Sequence, residues 1–160
     1  EAVLHEGLIV SSSQIRHFLE AGEVARANRF LGWTYSVTGT VVRGAARGRA
    51  IGFPTANLET DAEILPAEGV YATWTRVGER AWPSVTNVGT NPTFQARGAP
   101  VRVETHLLQF SRDIYGLPAE VGFLDRIRGE ERFSGPRALQ SQIEKDVAAA
   151  KAVHAREKLS

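Results

Sequence analysis

Two neutral oxygen donors within one short segment are the clearest chemical signal in this sequence. Thr55 and Asn57 lie two residues apart in the run Pro54-Thr55-Ala56-Asn57. On an extended backbone this spacing points both side chains to the same side. A hydroxyl and an amide oxygen suit Mg²⁺, which prefers oxygen ligands and usually keeps water and phosphate oxygens in its shell. The alternative is a turn in which Asn57 bonds its own backbone.

The residues before this pair are rich in glycine and arginine. Gly44, Gly48 and Gly52 fall within nine positions, and Arg49 lies among them. Glycine lets backbone amides approach a ligand closely. Residues 24–58 contain five arginines and no Asp or Glu, which gives the positive potential that a polyphosphate requires. Neither the P-loop pattern nor the dinucleotide pattern is present, so an ordinary hairpin loop is the alternative.

A carboxylate in a predicted strand is the candidate acid–base group. Alternation places Val103 and Thr105 on one face and Glu104 and His106 on the other. Transfer of a phosphoryl group to a hydroxyl often uses a carboxylate to receive the proton. The residues alone favour a solvated Glu104–His106 pair.

The elements that must position these groups are mostly strands. Runs rich in Val, Thr and aromatic residues alternate with turn residues after Trp33. The predicted strands are 35–42, 69–77, 80–87, 101–110 and 121–128. Short consecutive strands favour an antiparallel sheet, and closing it into a barrel removes its exposed edges.

Helical periodicity is confined to the two ends of the chain. Ile15, Phe18 and Leu19 begin a pair of short helices that meet at Gly22. Near the other end, Pro136 suits a first helical turn. The apolar stripe that follows predicts a helix on the outside of the barrel or plugging one end of it.

Composition narrows the class of protein. The chain has 160 residues, 42% hydrophobic and 23% charged, which suits one globular domain. A net charge of +1 argues against a dedicated nucleic-acid binder, and no apolar run approaches a membrane span or a signal peptide. The absence of cysteine excludes disulfides and thiolate chemistry and fits a cytoplasmic location.

Several blocks together resemble the riboflavin kinase (flavokinase) family, in the family's order from about residue 35 to residue 150. The blocks are Gly39-Thr40-Val41-Val42-Arg43-Gly44, Gly48-Arg49, Gly52-Phe53-Pro54-Thr55-Ala56-Asn57-Leu58, Gly69-Val70-Tyr71-Ala72, Asn87-Val88-Gly89-Thr90-Asn91-Pro92-Thr93-Phe94, Val103-Glu104-Thr105-His106-Leu107-Leu108, Asp113-Ile114-Tyr115-Gly116, Ile127-Arg128, Glu131-Arg132-Phe133, and Leu139, Gln142, Ile143 and Asp146. The resemblance implies a mainly β fold: a closed six-stranded antiparallel Greek-key barrel with a C-terminal helix and a short N-terminal helical segment. It also implies phosphorylation of riboflavin at its ribityl 5′-hydroxyl by Mg²⁺–ATP, giving FMN and ADP.

The resemblance assigns roles to individual residues. Glu104 matches the catalytic base, and His106 is expected to be structural. Thr55 and Asn57 match ligands of Mg²⁺–ATP, and Arg128 and Phe133 lie in the segment near the flavin ring, although Phe133 is nearly as well explained as a core contact. The expected nucleotide-binding segment comprises Gly44, Gly48, Arg49, Gly52, Pro54, Thr55 and Asn57. Asn87, Thr90 and Asn91 are candidate nucleotide contacts, but turn chemistry explains them as well.

The start of the chain resembles a different module. Residues 10–16 are similar to the serine-rich motif that closes the adenylyltransferase module of bacterial bifunctional FAD synthetases, and His5 and His17 lack that module's nucleotide-binding context. We therefore expect residues 1–34 to be a helical remnant of that N-terminal module and 35–160 to be the kinase domain, without conversion of FMN to FAD. The alternative function is a catalytically silent barrel that binds flavin or nucleotide.

Overall fold

The computed structural model describes residues 2–5, 8–43, 54–90 and 101–159. Its elements in chain order are β1 (Ala2–His5), β2 (Leu8–Ser11), α1 (Ser12–Glu20), α2 (Val24–Leu31), β3 (Ser36–Val42), β4 (Ala56–Glu59), β5 (Gly69–Val77), β6 (Arg80–Thr90), β7 (Val101–Leu107), β8 (Pro118–Arg128) and α3 (Pro136–Leu159). Among these helices, none is both long and apolar enough to cross a bilayer.

Strands β3 to β8 form a closed antiparallel barrel in the order β3-β4-β7-β6-β5-β8. β5, β6 and β7 form a meander, whereas β4 and β8 join it by connections that cross over, as in a Greek key. The predicted barrel is confirmed. Its strand β8 begins three residues earlier than predicted, at Pro118, a position that proline tolerates because it is the first residue of the strand.

Two strand features lie outside the sequence prediction. The β1–β2 hairpin was expected to be part of a helical segment, but its residues pair as antiparallel strands. The segment containing Asn57 was expected to be extended, and it is a full barrel strand, β4, paired with both β3 and β7. β4 has only four residues, too few for alternation to be recognised in the sequence.

A closed ring of five hydroxyl groups lies inside the barrel. Its members come from β5, β6 and β7 and are at most 2% exposed: Thr73, Thr75, Ser84, Thr86 and Thr105. The ring runs through contacts Thr86–Thr105 (2.9 Å), Thr105–Thr75 (3.1 Å), Thr75–Ser84 (2.8 Å), Ser84–Thr73 (2.7 Å) and Thr73–Thr86 (2.7 Å). Five hydroxyl hydrogens serve five contacts, so each group donates one bond and accepts one.

Apolar side chains fill the interior on either side of this ring. Tyr71 and Phe123 are fully buried and meet edge to face, with ring centroids 5.3 Å apart. Val88, Val103 and Val121 are also buried there. The alternation of each strand therefore sends one set of residues inward and leaves the other set, Glu104 included, on the outer face.

Helices pack against the barrel from two sides. Leu19 of α1 and Val24 of α2 belong to the same apolar cluster as the barrel interior, and the Asn28 amide donates to the Phe123 carbonyl (2.7 Å). α3 lies on the outside, where Ala150 and Val153 pack against outward-facing residues of β5 and β6. The boundary expected between residues 34 and 35 stays a prediction.

Candidate active site

Three polar side chains form a row across the outer face of the barrel. Asn57 on β4 is directly opposite Glu104 on β7, and Glu104 is directly opposite Asn87 on β6. Residues in such positions have Cβ atoms about 5 Å apart. Antiparallel pairing therefore brings together residues that are far apart in the sequence, and it places an amide oxygen beside the carboxylate.

Glu104 and Asn87, two residues of this row, line a cleft between the outer face of the barrel and the first turns of α3. The cleft has a volume of about 150 Å³. Its lining residues are Thr55, Val70, Val85, Asn87, Glu104, His106, Arg128, Glu130, Glu131, Phe133, Leu139, Ile143 and Asp146. Four of the residues expected in the site, Thr55, Glu104, Arg128 and Phe133, thus line one cleft, and Asn57 lies beside it through its pairing with Glu104.

His106 holds the chain just before Thr55. Its Nδ1 lies 2.8 Å from the Pro54 carbonyl oxygen, and because a carbonyl only accepts, Nδ1 carries the hydrogen. His106 and Thr55 line the cleft together. This contact agrees with a structural role for His106.

The donor set beside Glu104 fits a magnesium ion. Asn57 is 7% exposed, and its side-chain amide makes no hydrogen bond to any other residue that the structure describes. A buried amide without a protein partner retains its oxygen for a ligand. Together with the Thr55 hydroxyl it offers the neutral oxygen donors that Mg²⁺ accepts.

An ion pair fixes Arg128 at the opposite end of the cleft. Asp146, 3% exposed, accepts from Arg128 Nε at Oδ1 and from Arg128 Nη2 at Oδ2, both at 2.9 Å. Gln142, one helical turn earlier, donates to the same carboxylate at 3.0 Å. The guanidinium lies 5.5 Å from the centre of the Phe133 ring. The cleft therefore ends in a flat cationic and aromatic surface, typical of sites for planar ligands.

Glu130 is a cleft residue that the sequence analysis missed. Burial and the Glu68 carboxylate raise the pKa of Glu130; Arg128 lowers it, and Glu104 raises it further. A Cβ atom at position 89 would lie 2.8 Å from Glu130 Oε1, so Gly89 makes room for this carboxylate. No local pattern separates Glu130 from Glu131, and only the folded chain shows which carboxylate approaches Glu104.

The structure describes only some of the remaining residues that were expected in the site. Gly44, Gly48, Arg49 and Gly52 lie outside the described residues, as does Asn91. Pro54 is exposed and immediately precedes Thr55. Asn87, the last residue of a predicted strand, lies within β6, paired with Val70 and Glu104, so turn chemistry does not explain it.

Comparison with known proteins shows the family to which the chain belongs. The family model described as "Flavokinase: Riboflavin kinase" matches residues 31–154. The bifunctional riboflavin kinase/FMN adenylyltransferase of Bacillus subtilis is 41% identical over 139 residues, which cover 86% of this chain and 44% of that protein. The chain therefore belongs to the riboflavin kinase family. It spans somewhat less than half the length of the curated relatives that it matches.

Two solved structures share the fold. The riboflavin kinase from Trypanosoma brucei superposes with a TM-score of 0.55 at 25% identity, over 73% of this chain and 74% of that one. A Streptococcus pneumoniae structure called a macrolide-efflux protein superposes with a TM-score of 0.85 at 36% identity, over 94% of this chain and 49% of that one. The closed barrel is thus that of riboflavin kinases.

Proposed function

We propose that this chain transfers the terminal phosphoryl group of ATP to the 5′-hydroxyl of riboflavin, giving FMN and ADP. In this proposal Glu104 accepts the hydroxyl proton while Thr55 and Asn57 bind Mg²⁺–ATP. Arg128 and Phe133 bind the flavin ring. The observation that carries the proposal is the pairing of Asn57 directly opposite Glu104, with Thr55 lining the same cleft.

Proximity is the physical reason why this arrangement suits phosphoryl transfer. The reaction depends mainly on positioning and on charge stabilisation. Adjacent strands hold the oxygen donors and the carboxylate about one strand spacing apart, about 5 Å. A hydroxyl bound beside Glu104 would therefore face a phosphate bound beside Thr55 and Asn57. Mg²⁺, when bound with ATP, neutralises phosphate charge.

Glu104 is suited to accept the proton because its strand faces the cleft. The interior neighbours Val103 and Thr105 are buried, which fixes the backbone on both sides of Glu104. A base that receives its proton late in the reaction requires correct position more than an altered pKa. A protein that only binds flavin would have no use for this carboxylate, so retention of Glu104 favours the enzyme over the silent barrel.

Substitution of Glu104 tests the proposal. Glu104→Gln keeps the shape of the side chain and removes the base, so we expect kcat to fall about 100-fold or more, with the KM values for riboflavin and ATP changed less than about threefold. FMN formation from riboflavin and Mg²⁺–ATP measures both. The matched control is Glu79→Gln at the exposed β5–β6 turn, which should retain full turnover. Normal turnover by Glu104→Gln would exclude Glu104 as the base, and no FMN from any form would exclude the kinase.

The names of the relatives include a second activity, FMN adenylyltransferase. The matched residues cover 44% of the Bacillus subtilis protein, and we propose that FMN adenylyl transfer resides in the other part of such chains. Monitoring FAD in the same assay tests this assignment, since FAD formation by this chain would contradict it. We also propose a cytoplasmic location, where ATP and riboflavin are both available.

A further inference from the structure

A second cavity lies apart from the cleft, at the end of the barrel where β5 turns into β6. Its volume is about 530 Å³, more than three times that of the cleft. Its walls come from β3, the β5–β6 turn, the segment between β7 and β8, and the start of β8. Among the described residues, none lines both cavities. The proposed function therefore leaves this cavity without a role.

The inner wall of the second cavity is apolar. Val77, Ile114 and Ala119 line it, are each at most 7% exposed and belong to the main apolar core. Leu117, in the same wall, is 44% exposed. Covering such apolar surface with a ligand removes it from water, which is favourable. The cavity therefore suits a ligand with an apolar body.

Two aromatic rings hold a pair of arginines at the edge of this cavity. Arg112 lines the cavity, and its guanidinium lies 5.3 Å from the centre of the Trp82 ring and 5.2 Å from that of Phe110. The Arg80 guanidinium lies 5.1 Å from the same Trp82 ring centre. Trp82 and Phe110 meet edge to face at 4.7 Å and pack against the apolar core. The arginines therefore rest on a fixed surface.

The charges of these two arginines are not balanced by a carboxylate in the part of the chain that the structure describes. Neither Arg80 nor Arg112 forms an ion pair there. Because both guanidiniums lie close to the centre of one indole ring, they are at most about 10 Å apart. Two like charges at this separation repel each other, and a bound anion would offset that repulsion.

The acidic residues of the cavity wall already have partners. Glu120 accepts from the Ser36 hydroxyl at 2.6 Å, and it lies 3.8 Å from Arg76 Nε. Asp113 accepts from the backbone amide of Tyr115 at 3.0 Å. The ion pair with Glu120 also accounts for the charge of Arg76, the other arginine of the wall. The positive charge available to a ligand is therefore that of Arg112 and Arg80.

We propose that this cavity binds an organic phosphate, with the apolar body of the ligand against Ile114 and Leu117 and its phosphate group on Arg112 and Arg80. A phosphate monoester carries nearly two negative charges near neutral pH, which matches two guanidiniums. Guanidinium groups also bind phosphate oxygens through pairs of parallel hydrogen bonds. A carboxylate, with a single charge, would leave the second arginine unmatched. The site uses none of the residues assigned to phosphoryl transfer.

Naphthyl phosphate is a suitable probe, because it joins a flat apolar body to one phosphate monoester. We expect it to bind at least about tenfold more tightly than naphthol or inorganic phosphate, since each of these offers only part of the contacts. Arg112→Gln should weaken its binding about tenfold or more through loss of hydrogen bonds to a charged group. Arg112→Lys retains the charge and should weaken it less. Isothermal titration calorimetry gives the dissociation constants.

A second variant tests the location of the site by filling the cavity. Thr38 is an exposed residue of β3 in the cavity wall, so Thr38→Phe should prevent binding of naphthyl phosphate. The control is Arg29→Gln on the exposed side of α2, which should leave the dissociation constant unaltered. FMN formation by Arg112→Gln should stay within about twofold of the parent protein, because Arg112 lies outside the cleft.

Competition experiments distinguish the sources of the phosphate and the contrary outcomes. Displacement of naphthyl phosphate by FMN would identify the flavin product as the ligand, and displacement by AMP would identify a nucleotide. Displacement by riboflavin, which has no phosphate, would place the probe in the cleft and overturn the inference. Equal affinity of Arg112→Gln and the parent protein, or undiminished binding to Thr38→Phe, would overturn it as well.

Discussion

The chemical surroundings of each side chain in the proposed site are set by residues on the neighbouring strands. Asn57 and Glu104 belong to segments nearly fifty residues apart, yet they are paired directly. Thr55 is held near them by the contact between His106 Nδ1 and the Pro54 carbonyl, at 2.8 Å. The proposed metal site therefore depends on the Thr55 hydroxyl oxygen, the Asn57 amide oxygen and the backbone that orients them.

Thr55 provides a test of the proposed metal ligands. Thr55→Val preserves the shape of the side chain and removes its oxygen, so we expect the KM for Mg²⁺–ATP to rise about tenfold or more. Riboflavin binding without ATP should not change, because the flavin end of the cleft is untouched. Titration of activity with Mg²⁺ and ATP gives the measurement.

Thr55→Ser is the matched control, since it retains the hydroxyl oxygen. We expect its Mg²⁺ dependence to stay close to that of the parent protein. An identical loss in both variants, or an unchanged Mg²⁺ requirement in Thr55→Val, would remove Thr55 from the metal site.

At the scale of elements, the hydroxyl ring links the three strands β5, β6 and β7. Thr105 and Thr86 are in this ring, and each is the direct neighbour in sequence of a cleft residue, Glu104 or Asn87. A shift of one residue in strand pairing would turn every side chain to the opposite face. The buried hydroxyls disfavour such a shift because it would leave them unpaired, so the ring helps to keep Glu104 facing the cleft.

Thr86→Val tests the contribution of the ring to stability. Valine has the same shape, but it deprives Thr73 and Thr105 of a partner each. Leaving buried hydroxyls unsatisfied should lower the free energy of unfolding by about 1–3 kcal/mol. Chemical denaturation monitored by tryptophan fluorescence measures the change.

Thr40→Val, on the exposed face of β3, is the control for this substitution. We expect it to alter the free energy of unfolding by less than about 0.5 kcal/mol. A comparably small effect of Thr86→Val would show that the ring contributes little to stability.

On the scale of the whole molecule, one apolar core joins the barrel to α1 and α2, and α3 covers the outer face beside the cleft. Tyr71 lies at the centre of this core, fully buried, with its hydroxyl donating to the Ala67 carbonyl. Burial raises the pKa of Tyr71 to about 12, although Arg126 opposes the shift. Burial also raises the pKa of Tyr35. The folded state therefore favours the neutral forms of Tyr35 and Tyr71.

The raised pKa of Tyr71 predicts a loss of stability at alkaline pH. In the unfolded chain the phenol ionises near pH 10, whereas in the folded protein its pKa is about 12. The stabilising contribution is complete below about pH 10 and decreases as pH rises toward about 12, by about 3 kcal/mol. We expect Tyr71→Phe to show a smaller decrease in unfolding free energy between pH 9 and pH 11, as measured by denaturation at each pH.

Tyr115→Phe serves as the comparison, because that ring is 48% exposed. This variant should follow the parent protein across the alkaline range. If Tyr71→Phe also follows the parent curve, the buried phenol does not contribute to the pH dependence.

The sequence by itself determined the barrel, its main strands and the outer position of Glu104. Alternation of inward-facing and outward-facing residues is a local pattern. It can be recognised in any strand whose two faces differ in polarity, as in Val103-Glu104-Thr105-His106. Residue type and spacing also indicated Thr55 and Asn57 as oxygen donors, and the family resemblance added Arg128 and Phe133, a choice that local pattern could not make.

Only the tertiary structure decided which of these residues meet. Strand pairing placed Asn57 opposite Glu104, and helix packing placed Asp146 on Arg128. It also placed Asn87 opposite Glu104 and the Glu130 carboxylate against Gly89. Such contacts join distant segments, and the order of strands around a barrel follows from the burial of the whole chain rather than from any local periodicity.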